Sequence, residues 1–176
     1  MAASTKTKTT AEDFLEVQNH LNEMMLCMDG MTTLKTREET DSAAARFAQL
    51  FTEDGEIEIV KMQATKRGTE EIQGFCRFLQ EKFAGSQHWE GNIVLKDCSS
   101  TTSSGGGKGE DGAAVGNDYT TTATMISNIS YWRAMNASTG AHVSCGTHED
   151  IFVLVDSTGD FGQRWKCQKR IIRHST

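Results

Sequence analysis

Residues 118–134, 141–156 and 163–173 form three long runs of alternating side chains, separated only by turns at 136–140 and 157–162. Successive side chains of an extended chain point to opposite faces, so runs of this kind satisfy their backbone groups by pairing in a sheet. Short turns make the neighbours antiparallel. In the second run Ser144, Gly146, His148, Asp150 and Phe152 share one face. In the third, Trp165, Cys167, Lys169 and Ile171 oppose Arg164, Lys166, Gln168, Arg170 and Ile172. Neither side of the third run is purely apolar. A sheet curving around a part-polar cavity has this pattern, and so does a sheet with one wet face.

The first half of the chain follows a different period. Thr10-Ala-Glu-Asp13 is a capping-box start, and Phe14, Val17, Leu21, Met25 and Met28 follow at helical spacing until Asp29-Gly30. Residues 31–40 read as a polar connection. Asp41 or Ser42 then caps a second short helix with Phe47, Leu50 and Phe51 on its buried side. Glu53-Asp54-Gly55 reads as a turn, residues 56–62 as a strand and Lys66-Arg67-Gly68 as another turn. Thr69 opens a third helix, with Ile72, Phe75, Cys76, Leu79 and Phe83 on one face and Gly85 as its stop. The expected core is Phe14, Val17, Leu21, Phe47, Phe51, Ile72, Phe75, Leu79 and Phe83. Helices segregated ahead of an antiparallel sheet make an α+β layer fold.

A fourth extended run follows Gly85. In it His88, Glu90 and Asn92 share one face, and Trp89, Ile93 and Leu95 lean to the other until a bulge intervenes. Residues 98–117 are Gly/Ser-rich and of low complexity, which fits an extended hairpin tip away from the chemistry. Residues 1–9 lack apolar periodicity and read as a mobile tail before a single domain over 10–176.

Charge and composition narrow the function. The 176 residues carry 18 basic and 24 acidic side chains, a formal net charge of -6, which argues against nucleic acid as a partner. No apolar run reaches membrane-spanning length and no secretory signal is visible, so the expected setting is the cytoplasm. Cys27, Cys76, Cys98, Cys145 and Cys167 show no C-x-x-C spacing and read as reduced thiols.

The ordered short stretches carry a resemblance. Met28-Asp29-Gly30, residues 50–55 (LFTEDG), residues 67–72 (RGTEEI), Gln87-His88, Asn92, Gly146-x-His148-x-Asp150 and residues 165–171 occur in the order of the nuclear transport factor 2-like superfamily. Within it the chain resembles the SnoaL-like polyketide cyclase and scytalone dehydratase branch. The resemblance implies a cone-shaped, curved, mainly antiparallel sheet closed by three N-terminal helices around one pocket. It also implies that Asp29 pairs with His88, and that His148 and Asp150 project toward the same cavity. The carboxylate would fix the imidazole tautomer and leave the other ring nitrogen to take a proton. The chain departs from scytalone dehydratase where that enzyme has water-holding tyrosines: the corresponding places are Met28 and Ile57 or Ile59. A second pocket histidine of that enzyme falls near Ser127 or Asn128.

The function implied is a dehydratase, isomerase or cyclase of secondary metabolism. It would work without a cofactor or metal on a small, oxygenated, largely apolar metabolite. The expected catalytic residues are Asp29, His88 and His148, and the expected substrate-binding residues are Asn92, Asn128, Tyr131 and Asp150. The alternative is a non-catalytic ligand-binding or assembly module of the same fold. A metal held by His88, His148 and a carboxylate lacks supporting spacing. A homodimer or trimer is expected, with Trp132 and Trp165 as candidates for a sheet face against a partner.

Overall fold

The computed structural model describes residues 9–29, 36–98, 100–103, 120–155 and 164–175. The expected tail up to residue 8, most of the 98–117 segment and the turn at 157–162 lie outside the described residues. Among the described residues three helices, α1 (Ala11–Met28), α2 (Arg37–Gln49) and α3 (Gly68–Lys82), pack on an α+β scaffold. The strands are β1 (Phe51–Ile59), β2 (Ala64–Arg67), β3 (Ser86–Asp97), β4 (Ser100–Ser103), β5 (Thr120–Ala123), β6 (Met125–Asn136), β7 (His142–Leu154) and β8 (Trp165–His174). Six of them form an open sheet in the order β2-β1-β8-β7-β6-β3. All neighbours are antiparallel except β1 and β8, which run parallel. The sheet is not closed into a barrel. β4 and β5 pair separately, so the flanks of the low-complexity segment meet in a two-stranded ladder.

Helix boundaries follow their caps. At α1 the Thr10 hydroxyl accepts from Asp13 N, and the Asp13 carboxylate accepts from Thr10 N at 2.8 Å. Asp13 also accepts from the Trp165 indole at 3.0 Å and from Arg164 at 2.7 Å, which fastens α1 to the start of β8. Burial opposes ionisation of Asp13, but these donors outweigh it and bring its pKa down to about 2. The second helix begins earlier than the sequence reading has it. Thr36 and Glu39 form a second capping box, with Glu39 N donating to Thr36 Oγ1 at 3.1 Å and Thr36 N to Glu39 Oε2 at 2.9 Å. The T-x-x-E signature lies inside the stretch expected to be a connection. Gly85, at φ +80°, turns the chain out of α3 toward β3.

Two bulges correct the strand expectations. β1 starts at Phe51, and the expected turn at Glu53-Asp54-Gly55 is absorbed by a register shift between Phe51 and Glu56 against β8. Its far end becomes a 3₁₀ turn, Val60–Met62, closed by Gln63 at φ 50°. In β8, Phe152 faces Cys167 but Ile151 faces Lys169, so Gln168 is extra. Beyond it the alternation inverts. Trp165 and Cys167 point inward, and so do Arg170 and Ile172, which the simple alternation assigns to the opposite side.

The core lies between the helices and the inner face of the sheet. Val17, Leu21, Phe47, Phe51, Ile72 and Phe75 are buried in it, while Phe14 and Leu79 pack at its edge. Trp132 and Trp165 are also inside, at 5 % and 0 % exposure, so neither can face a partner. The exposed aromatic residues of the outer face are Trp89 and Tyr131. No helix among the described residues is long and apolar enough to cross a membrane.

His20 is buried on α1 with its ring edge-on to Phe152, 6.0 Å between centroids. Burial and the nearby Lys166 lower its pKa to about 4, against the opposing pull of Glu23 and Glu16. Above its ordinary value of 6.5 the group is neutral in both folded and unfolded chains. Below that, the unfolded chain binds a proton that the folded chain refuses until about pH 4, so stability falls across this window. Replacing His20 with Leu is expected to remove about one proton from the slope of unfolding free energy against pH. Urea melts taken through the window measure that slope, and an unchanged slope would show that the ring is not the titrating group.

Candidate active site

α1 ends where the site begins. Gln80 of α3 donates to the Cys27 carbonyl at 2.8 Å, satisfying one of the carbonyls that a helix C-terminus leaves without an internal partner. Asp29 caps the helix and turns its carboxylate onto β3. Both its oxygens accept from His88 N at 2.9 Å, and Oδ1 lies 2.5 Å from His88 Nδ1. The side chains are 11 % and 7 % exposed. With Nδ1–H directed at the carboxylate, Nε2 is the nitrogen left to accept a proton. Phe83 meets the His88 ring edge-on at 6.0 Å, and Trp132 lies tilted against it at 6.3 Å.

A second imidazole is held the same way. His148 Nδ1 is 3.0 Å from Glu90 Oε1, and the two side chains are 4 % and 1 % exposed. Trp132 stacks on the His148 ring at 5.6 Å and 13°, and His174 meets the same indole edge-on at 5.2 Å. The indole has its seat because β7 carries Gly146 opposite Trp132. A Cβ there would come within 2.8 Å of the indole nitrogen and 1.8 Å of the Arg173 carbonyl oxygen.

Behind His148 lies a fully buried charge cluster. Arg170 donates through Nε to Asp150 Oδ1 at 2.6 Å and through Nη2 to Oδ2 at 3.2 Å, with Glu90 Oε1 4.0 Å away. Asn128 Nδ2 donates to Asp150 Oδ2 at 2.8 Å and to Ser130 Oγ at 3.1 Å, and the Ser130 hydroxyl donates to Glu90. Burial pushes Glu90 toward its neutral form, but the His148 hydrogen bond and the Arg170 charge outweigh it and hold the carboxyl below its ordinary range. Burial, then the same Arg170 charge, holds His148 below the usual histidine value. The result is an ionised glutamate against a neutral imidazole, with Nδ1–H donating and Nε2 accepting.

Both imidazoles line one cavity of about 390 Å³. Met28, Ile59, Phe75, Leu79, Phe83, Trp132 and Ile172 form apolar walls, and Ser144, His174, Lys61 and Lys82 add polar groups. Met28 and Ile59 are on this wall. Ile57 is buried without reaching it.

The sequence candidates divide accordingly. His88 and His148 line the cavity, and Asp29 is held against His88 from off the lining. Asn128 and Asp150 are on the same face but one layer deeper, in the charge cluster, and do not line the cavity. Asn92 sits in the β3 bulge between Gly91 and Val94 at φ 52°, exposed and off the lining, because the extra residue breaks the alternation that would have placed it beside Glu90. Tyr131 follows the strict alternation of β6 to the outer face, 39 % exposed. Glu90, Trp132 and His174 went unassigned as site residues. The H-x-E spacing at 88–90 carried a signal for Glu90, since it puts a carboxylate on the same strand face as His88. Among the described residues no group of three or more His, Cys, Asp or Glu is arranged to hold a metal ion.

Replacing Arg170 with Met would leave Asp150 buried without its cation. The expected cost is ~3–5 kcal/mol in denaturant melts. The surviving protein should also titrate His148 at higher pH, because the cation that disfavours its protonation is gone.

A family model described as a SnoaL-like domain matches residues 9–170. No curated protein matches the chain by sequence. Among solved structures, a protein of unknown function with a cystatin-like fold from Nostoc punctiforme superposes with a TM-score of 0.64 at 16% identity, covering 96% of both chains. ActVI-ORFA from Streptomyces coelicolor gives 0.56 at 18% identity, covering 94% of this chain and 97% of its own. A protein provisionally named scytalone dehydratase, from Novosphingobium aromaticivorans, gives 0.59 at 16% identity, covering 94% and 85%. At these identities the likeness is one of fold.

Proposed function

We propose that this chain, which belongs to the SnoaL-like domain family, is a lyase, isomerase or cyclase that moves protons on a small, oxygenated, largely apolar metabolite. The observation that carries the reading is the His88–Asp29 contact at the wall of an apolar cavity. Asp29 fixes Nδ1–H, so Nε2 of His88 can remove a proton from carbon next to a carbonyl. His88 then holds the proton and returns it, either to a leaving hydroxyl as water departs or to another carbon as a double bond moves. His148 presents a neutral Nε2 and accepts a hydrogen bond from a substrate hydroxyl. Apolar walls exclude water and strengthen each of these contacts.

The non-catalytic alternative keeps one specific support. Both oxygens of Asp29 accept from His88 N, an anchor that β3 can use whether or not the ring does chemistry. Two measurements separate the readings. Imidazole ¹⁵N shifts at mildly alkaline pH are expected to show His88 protonated on Nδ1, and Asp29→Asn is expected to redistribute the tautomers. On a panel of hydroxylated aromatic ketones, His88→Ala should cost ~10²–10⁴-fold in rate. The double variant should lose little more than the worse single one. An unmoved tautomer would leave Asp29 as a strand anchor only, and the binding-module reading would replace the enzyme.

A further inference from the structure

The charge around the cavity is opposite to that of the chain. The protein carries a formal net charge of -6. Yet among the described residues the cavity lining includes Lys61, Lys82 and three histidines, and no aspartate or glutamate. The two carboxylates nearest the chemistry, Asp29 and Glu90, approach the imidazoles through Nδ1 and stay off the lining. The exposed members of the lining mark the mouth: Met62 at 56 %, Phe78 and Val143 at 43 %, together with both lysines. Lys61 comes from the 3₁₀ turn and Lys82 from the last turn of α3, so two separate elements each bring an exposed lysine to the lining.

We infer that the cavity takes an apolar, aromatic-sized ligand bearing a carboxylate, with the ring system against the interior walls and the carboxylate at the mouth on Lys61 and Lys82. This deepens the reading above, resting on it for the chemistry inside the cavity but not for binding. Low-dielectric walls concentrate the field of charges at a cleft's mouth, so two cations there attract an anion even on an acidic protein. The field of Lys61 reaches the wall: after burial, it is the next cause holding His174 below the ordinary histidine value. Lys82 has a second reason to be where it is, because a cation is favoured near the C-terminal end of a helix. The experiment must therefore separate a ligand contact from a helix-end preference.

The matched probes are 2-naphthoate and its neutral isostere 2-naphthamide, titrated calorimetrically into the full chain at low and high salt. The expected result is naphthoate binding about tenfold tighter at low salt, with the advantage shrinking as salt screens it. In the Lys61→Gln/Lys82→Gln variant that advantage should vanish while naphthamide binds as before. Both side chains are exposed, so the variant is expected to fold, and its thermal melt verifies this. Equal binding of the two probes by the unaltered protein overturns the inference, as does a preference that survives in the double variant. Failure of both probes to bind at millimolar concentration overturns it as well. None of these outcomes depends on the His88 tautomer or on turnover. A carboxylate preference without catalysis would leave a binding module, and catalysis without the preference would leave an enzyme for neutral substrates.

Discussion

A guanidinium with 1 % of its side chain exposed cannot be left without anions, and Arg170 has two of them. Asp150 takes the direct bonds, and Glu90 lies at the edge of contact, already engaged by His148 and Ser130. Four strands contribute: β3, β6, β7 and β8. The cluster therefore ties together the register of four of the sheet's six strands at the same time as it sets the charge behind His148. Such an ion cluster adds little net stability over apolar packing, because desolvation offsets the attraction. Its value lies in orientation. It keeps Glu90 ionised, and an ionised Glu90 permits only one tautomer of a neutral His148.

The two carboxylate–imidazole pairs are built by different means. Asp29 reaches β3 from the end of a helix, so its position depends on how α1 packs on α3 through Gln80 and Cys27. Glu90 reaches His148 within the sheet, across β6, and depends on strand register alone. Trp132 sits between the two rings and contacts both. A shift of that indole would move both imidazoles, which is why the absence of a side chain at Gly146 matters to the site as well as to the sheet.

Periodicity made the helical half legible. Val17, Leu21, Phe47, Ile72 and Phe75 were marked by spacing and are buried as that spacing requires. The strands were legible in place but not in phase. A single extra residue at Gln168 inverts every later side chain of β8, and no local pattern announces it, because bulges are selected by tertiary fit. Strict alternation therefore put Arg170 on the face opposite Trp165 and Cys167, when it is buried on the same side as they are. Asn92 failed for the same reason on β3. Thr36 and Glu39, by contrast, carried a readable signature that the polarity of their surroundings obscured. At the site, the resemblance led to Asp29, His88 and His148. Lys61 and Lys82 could not be found in sequence, since nothing local distinguishes a lysine at a cavity mouth from one on a solvated turn.

The parallel pairing of β1 with β8 has a consequence for how the chain reaches this state. β8 lies between β1 and β7, so the middle of the sheet is filled by the strand that comes last among those described. During synthesis β1 waits without its inner neighbour until residues 165–174 have left the ribosome, and the helices meanwhile have only an incomplete surface to cover. Pairings of such long sequence separation are slow to close. Over that interval the β8-facing edge of β1 has its backbone groups unpaired, a hazard for strands during folding. The arginine of the finished cluster follows both of its carboxylates, Glu90 and Asp150, along the chain, and it arrives carrying the charge that they need.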